Sequence, residues 1–154
     1  MQQILDIFEQ NRKNILSLIG ELTLEEVNTI PFGFNNNIIW NAGHLLLSQQ
    51  FLLYHLSDLP MMDFTKEYIP KFGVGTIPDG NASQSEFDFL INALVTSNKK
   101  VIEDYNKGIF KTYSPYTSEY FGVTIQNIEE AIHFNTYHEG FHFGFMKAIH
   151  LGFK

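Results

Sequence analysis

The chain has 154 residues, 44% of them apolar and 15% aromatic, with a formal net charge of −7. That length predicts one domain, residues 1–154, with enough apolar side chains to fill a core. The acidic balance argues against a nucleic-acid backbone or an anionic membrane as main partner, since both call for a basic patch, and the absence of cysteine excludes disulfides, a thiol nucleophile and thiolate metal sites.

The first predicted helix runs from Gln2 to about Glu21. Ile4, Phe8, Ile15, Leu18, Ile19 and Leu22 recur along it at helical spacing. Asn11 interrupts that side, and Arg12 and Lys13 are expected in water. The first ten residues carry Asp6 and Glu9 with no basic cluster and do not read as a signal peptide. No apolar run reaches the length of a membrane span. A soluble, cytoplasmic protein is the expectation. Thr23-Leu24-Glu25-Glu26 has the pattern of a capping box and predicts a short second helix, which Pro31 and Gly33 stop.

Asn36 or Asn37 suits the N-cap of a second long helix. It extends to about Ser57, with Trp40, His44, Leu47, Phe51 and Tyr54 or His55 on one inward face and Asp58 and Pro60 closing it. Residues 58–82 hold three prolines and three glycines. They predict an irregular connection with a helical turn near Met62, long enough to cover a site. Ser83-Gln84-Ser85-Glu86 opens a third long helix that turns Phe87, Leu90, Leu94, Val101, Ile102 and Tyr105 inward and ends near Gly108. Residues 109–123 are aromatic and turn-rich, with no convincing strand pattern. Thr124 is the expected cap of a last helix, Ile125 to about His150, with Glu129 and Glu130 favourably placed at its positive end. The elements together predict an all-α fold, a four-helix bundle with long connections after the second and third long helices.

The chemistry concentrates in His138-Glu139-Gly140-Phe141-His142. Residues four apart on a helix share a face, so two imidazoles can reach one metal ion. Their stripe, which includes Ile132, Asn135, Met146 and Ile149, is mostly apolar and faces a core, where an unpaired imidazole is costly. The plain alternative is two histidines bonded to neighbouring side chains or water. His44, on the inward stripe of the second helix, is the best third ligand, and Gly43 beside it leaves room for another backbone. His55 and His150 lie roughly 16 and 12 Å away along their helices from the proposed ligands and are too remote. His133 is out of phase with the pair.

Three histidines with an open fourth position is the pattern of catalytic rather than structural zinc. His138-Glu139-x-x-His142 also matches the short zincin motif, in which the glutamate is the general base. The downstream context departs from it: Phe145 and Ala148 stand where metzincins need glycine and histidine, and the twelve residues after His142 leave no room for the later glutamate of gluzincins. Glu139 remains a candidate catalytic base or a partner of the ligands, with a solvated helix position favoured slightly.

Two segments carry a family resemblance. Asn37-Ile38-Ile39-Trp40-Asn41-Ala42-Gly43-His44 resembles the first metal motif of the DinB-like family, and His138-Glu139-Gly140-Phe141-His142-Phe143-Gly144 resembles its second. The turn at Thr23 and the acidic start of the last helix are similar too. The resemblance implies a bundle with a divalent-metal site, zinc or nickel, held by His44, His138 and His142, and frequent homodimers. It implies relatives that transfer a low-molecular-weight thiol, such as bacillithiol or mycothiol, to an electrophile. The leading expectation is therefore a metal-dependent thiol S-transferase with a small-molecule substrate and no nucleic-acid or membrane partner. The alternatives are a metal-dependent hydrolase using Glu139 and a non-enzymatic dimeric metal-binding bundle.

Overall fold

The computed structural model describes residues 1–153 and is mostly helical. Helix α1, Gln2–Gly20, buries Leu5, Phe8, Arg12, Ile15 and Ile19. Arg12 therefore belongs to the core stripe and does not face water: its phase, four after Phe8 and three before Ile15, outweighs its charge because an acid awaits it inside. Helix α2, Leu24–Asn28, carries both halves of its capping box, with Thr23 Oγ1 accepting from the Glu26 amide at 3.2 Å and the Thr23 amide donating to Glu26 Oε2 at 2.7 Å.

Helix α3 spans Ile38–Gln49, capped by Asn37, whose Oδ1 accepts from the Trp40 amide at 2.9 Å. It continues without a break through a π-helical turn, Gln50–Tyr54, and a 3₁₀ turn, His55–Ser57, and Asp58 closes it in the left-handed conformation (φ 56°). The long connection that follows contains a real helix, α4, Thr65–Phe72, not merely a turn near Met62. Proline at position 70 lies inside it and argued against helix in the sequence; the burial of Thr65, Tyr68 and Phe72 along one face outweighs that cost. Helix α5, Gln84–Asn106, is capped by Ser83.

The aromatic stretch before the last helix departs from expectation. Strands β1, Tyr116–Ser118, and β2, Val123–Ile125, pair antiparallel with Thr117 opposite Thr124, around a turn in which Gly122 adopts φ 65°. Three-residue strands are too short to show alternation. Thr124 thus belongs to a strand, and the last helix, α6, Ile128–Leu151, is capped instead by Asn127, whose Oδ1 accepts from the Glu130 amide at 2.9 Å.

Helix α1 packs against α5 and α6, and α3 packs against the same two. Apolar side chains form two clusters. One gathers Ile15, Ile19, Leu45, Leu94 and Met146; the other gathers Phe8, Leu53, Val101 and Ile132. Between them on each helix lie buried polar side chains: Arg12 on α1, Gln49 and Gln50 at the end of α3 and the start of its π-helical turn, Ser97 and Asn98 on α5, and Asn135, Thr136, His138, Glu139 and His142 on α6. This polar layer positions the site.

Candidate metal centre

The first ligand candidate comes from a helix with almost no solvent face: eleven of the twelve residues of α3 are buried. His44 lies flat on the Trp40 indole, with ring centroids 4.9 Å apart and planes 6° from parallel. Its Nδ1–H donates to the Phe72 carbonyl at 2.9 Å. Gly43 makes that bond accessible. A Cβ there would lie 2.4 Å from the Phe72 ring, so it is a side chain from α4, not a backbone, that exploits the glycine. With Nδ1 so engaged, Nε2 of His44 carries the lone pair, and Ser48 Oγ stands 3.3 Å from it.

His138 and His142 project from successive turns of α6. Nδ1–H of His142 donates to Asn41 Oδ1 at 2.7 Å. The amide of Asn41 is itself oriented, because its Nδ2 donates to the Asn37 carbonyl at 2.7 Å and to Asn36 Oδ1 at 3.1 Å. His142 Nε2 is thereby fixed as the bare nitrogen. It faces Nε2 of His138 at 3.2 Å. Nδ1 of His138 is buried without a hydrogen-bond partner.

Potential ligand atoms of His44, His138 and His142 all lie within 4.8 Å of one another. Two imidazole nitrogens on one tetrahedral zinc, each about 2.0–2.1 Å from the ion, stand about 3.3 Å apart. The His138–His142 spacing matches that figure. The donor set is three neutral nitrogens with no thiolate, and it suits a divalent ion such as zinc or nickel. Burial lowers the basicity of all three rings. His138 is pushed down from 6.5 to about 4 by burial and by the neighbouring His44, and His142 to about 2 by burial, His138 and His44. His44 is lowered by burial, partly offset by its bond to Phe72. All three are therefore neutral near pH 7, the form that ligates metal.

A family model for the DinB superfamily matches residues 7–146. The chain belongs to the DinB superfamily. No curated protein gives a significant match to it. For this DinB protein the structure brings together the three histidines that the two motifs single out. The remaining three lie elsewhere: His55 and His133 are exposed, and His150 is half-buried next to Phe153.

Glu139 does not line the cavity beside the histidines. It is fully buried, which overturns the solvated position. Its carboxylate pairs with the Arg12 guanidinium, Oε1 with Nη2 and Oε2 with Nε at 3.4 Å, and Oε1 also accepts from Asn135 Nδ2 at 3.1 Å. Arg12 Nη1 donates to the Leu94 carbonyl at 2.9 Å. The pair ties α1, α5 and α6 together one helical face away from the ligands.

The cavity encloses about 1050 Å³. Both long connections supply its walls: Met61, Thr65, Ile69 and Val74 from the first, Tyr116 to Phe121 from the second. The inward face read on the second helix, from Trp40 through His44, Leu47 and Phe51, lines this cavity, while Tyr54 turns away to donate to Asp104 Oδ2 at 2.9 Å.

Asn41 and Phe72 are the functional residues that sequence reasoning missed. Asn41 is fully buried and stands three residues before His44, so a polar residue on the ligand's own turn was its signal; the Phe72 carbonyl had none. Replacing Asn41 by alanine is expected to weaken divalent-metal affinity by about 10–100-fold, as for other partners that orient a ligating histidine. Competition titration against a chromophoric chelator measures it. Unchanged affinity would show that Asn41 does not set the His142 tautomer.

Proposed function

We propose that this DinB protein is a divalent-metal-dependent transferase that joins a low-molecular-weight thiol to an electrophile. The supporting observation is the placement of three neutral imidazoles, with potential ligand nitrogens within 4.8 Å of one another, in the wall of a large and mostly apolar cavity. His44, His138 and His142 would hold the ion, zinc or nickel. A bound divalent ion supplies a Lewis acid that favours the thiolate form of a thiol.

The protein's own residues do the rest. Phe72 and Asn41 hold two of the rings in one tautomer. The cavity's apolar walls exclude water from the reacting atoms, which limits hydrolysis of the electrophile. In the reaction the thiol proton passes to solvent, the sulfur lone pair forms a bond to the electrophilic carbon, and the leaving group departs with its bonding pair. We further propose that the four long helices form one four-helix bundle in a single domain and that the protein works as a homodimer.

The hydrolytic alternative draws less support. A general base must reach the proton that it takes, and both Glu139 oxygens already accept from Arg12 and Asn135 inside the core. The test is to incubate metal-loaded protein with a panel of small thiols and 1-chloro-2,4-dinitrobenzene. Metal-dependent conjugation that stops on chelation is the expected result. No conjugation with any thiol would refute the transferase reading.

A further inference from the structure

The composition of the cavity wall carries a second conclusion. Among the described residues no lysine or arginine lines it. Beyond the three ligand candidates, its one other basic side chain is His55, which is exposed and stacked at 5.5 Å on Phe51. Neither lysine of α4, Lys66 or Lys71, lines the cavity, and Lys71 is turned to Glu86 at 2.6 Å. The one carboxylate in the wall, Glu119, is exposed. Apart from a metal ion at the three histidines, an anionic ligand would therefore give up its hydration without gaining a cationic partner, and would meet a like charge at the wall.

The apolar features point the same way. The cavity, about 1050 Å³, stands just above the usual range for small-ligand pockets, about 300–1,000 Å³. Its edge exposes large apolar side chains from both connections, Val74 at 91% and Tyr120 at 82%. Exposed apolar surface continuous with a cavity marks a binding region.

We propose that the cavity selects an uncharged, largely aromatic or aliphatic ligand and discriminates against anions. This rests on the reading above that the cavity is the substrate site, and it names the class of the electrophile: a neutral hydrophobic molecule rather than a carboxylated or phosphorylated one.

A matched pair of fluorescent dyes tests it. N-phenyl-1-naphthylamine and 1-anilinonaphthalene-8-sulfonate share one skeleton and differ by the sulfonate. Both are titrated at pH 8 into the 154-residue chain after chelation, so that no metal attracts the sulfonate. The neutral dye is expected to bind at least about tenfold more tightly, reflecting the unpaired charge that the sulfonate would bury. Glu119→Lys and Val74→Lys, both at exposed positions where the fold is not at stake, are each expected to tighten sulfonate binding and shrink the ratio at least about threefold; Glu119→Lys, which removes no apolar wall, should leave the neutral dye nearly unchanged, whereas Val74→Lys should weaken it. Equal or tighter binding of the sulfonate by the wild type, binding of neither dye, or a ratio that ignores both lysines would overturn the proposal. The metal-free assay separates the two readings: a loss of discrimination leaves thiol conjugation standing, and failure to conjugate leaves the dye preference standing.

Discussion

Replacing His142 by alanine is expected to strip the protein of bound divalent metal. The wild type should retain close to one ion per chain after desalting, and the variant close to none, measured by elemental analysis on the same preparation. The size of the effect follows from the site's construction. His142 is the best oriented of the three ligand candidates, through a chain of hydrogen bonds from the Asn37 carbonyl and Asn36 through Asn41. Its loss leaves two imidazoles and no other nearby donor of the ligand type, since His44, His138 and His142 form the one such group among the described residues. Thermal melts give a second readout. At a free-metal level near 100 times its dissociation constant, an ion that binds only the folded state adds about 2.7 kcal/mol. The wild type should gain that stability and the variant should not. His55→Ala is the control and should keep its metal, because His55 is exposed on a later turn. Equal metal content in the wild type and His142→Ala would remove the histidine site altogether.

The second large effect is expected at Glu139. Changing it to leucine leaves the Arg12 guanidinium, only 2% exposed, without its counter-charge. Breaking a buried pair from one side costs about 3–5 kcal/mol. In a chain of this size that lowers the melting temperature by on the order of 10 °C. The double replacement Arg12→Met with Glu139→Leu should recover most of the loss, because it removes the stranded charge as well. Metal affinity, measured well below the melt, should change little in the double variant, since neither side chain lines the cavity. The milder Glu139→Gln distinguishes the mechanisms: abolished turnover with intact metal binding would favour the hydrolytic base, and retained conjugation would favour the transferase. If Glu139→Leu alone melts like the wild type, the pair is not the tie between α1, α5 and α6 that its geometry indicates.

Much of this was legible in advance because helical phase is a local property. The spacing of apolar residues predicts all four long helices, and the caps at Thr23, Asn37 and Ser83 lie where the side-chain chemistry puts them. What failed did so for physical reasons. Arg12 occupies a core position because of an acid 127 residues away, and no window on α1 contains that information. Glu139 was misplaced for the same reason. Helix α4 was hidden by Pro70, whose local penalty is outweighed by burying Tyr68 and Phe72. The β1–β2 hairpin is too short for alternation to register, and it took Thr124 out of the role of helix cap.

From the sequence alone came the mostly helical character, the family, and the three histidines, because periodicity, motif spacing and ligand type are encoded in neighbouring residues. Tertiary structure decided the rest: that His44 meets His138 and His142, that Asn41 and the Phe72 carbonyl orient two of those rings, and that two long connections fold over them to make a mostly apolar cavity. Those outcomes depend on contacts between segments far apart in the chain, where the cost of burying a polar group is settled only by the partner that arrives to meet it.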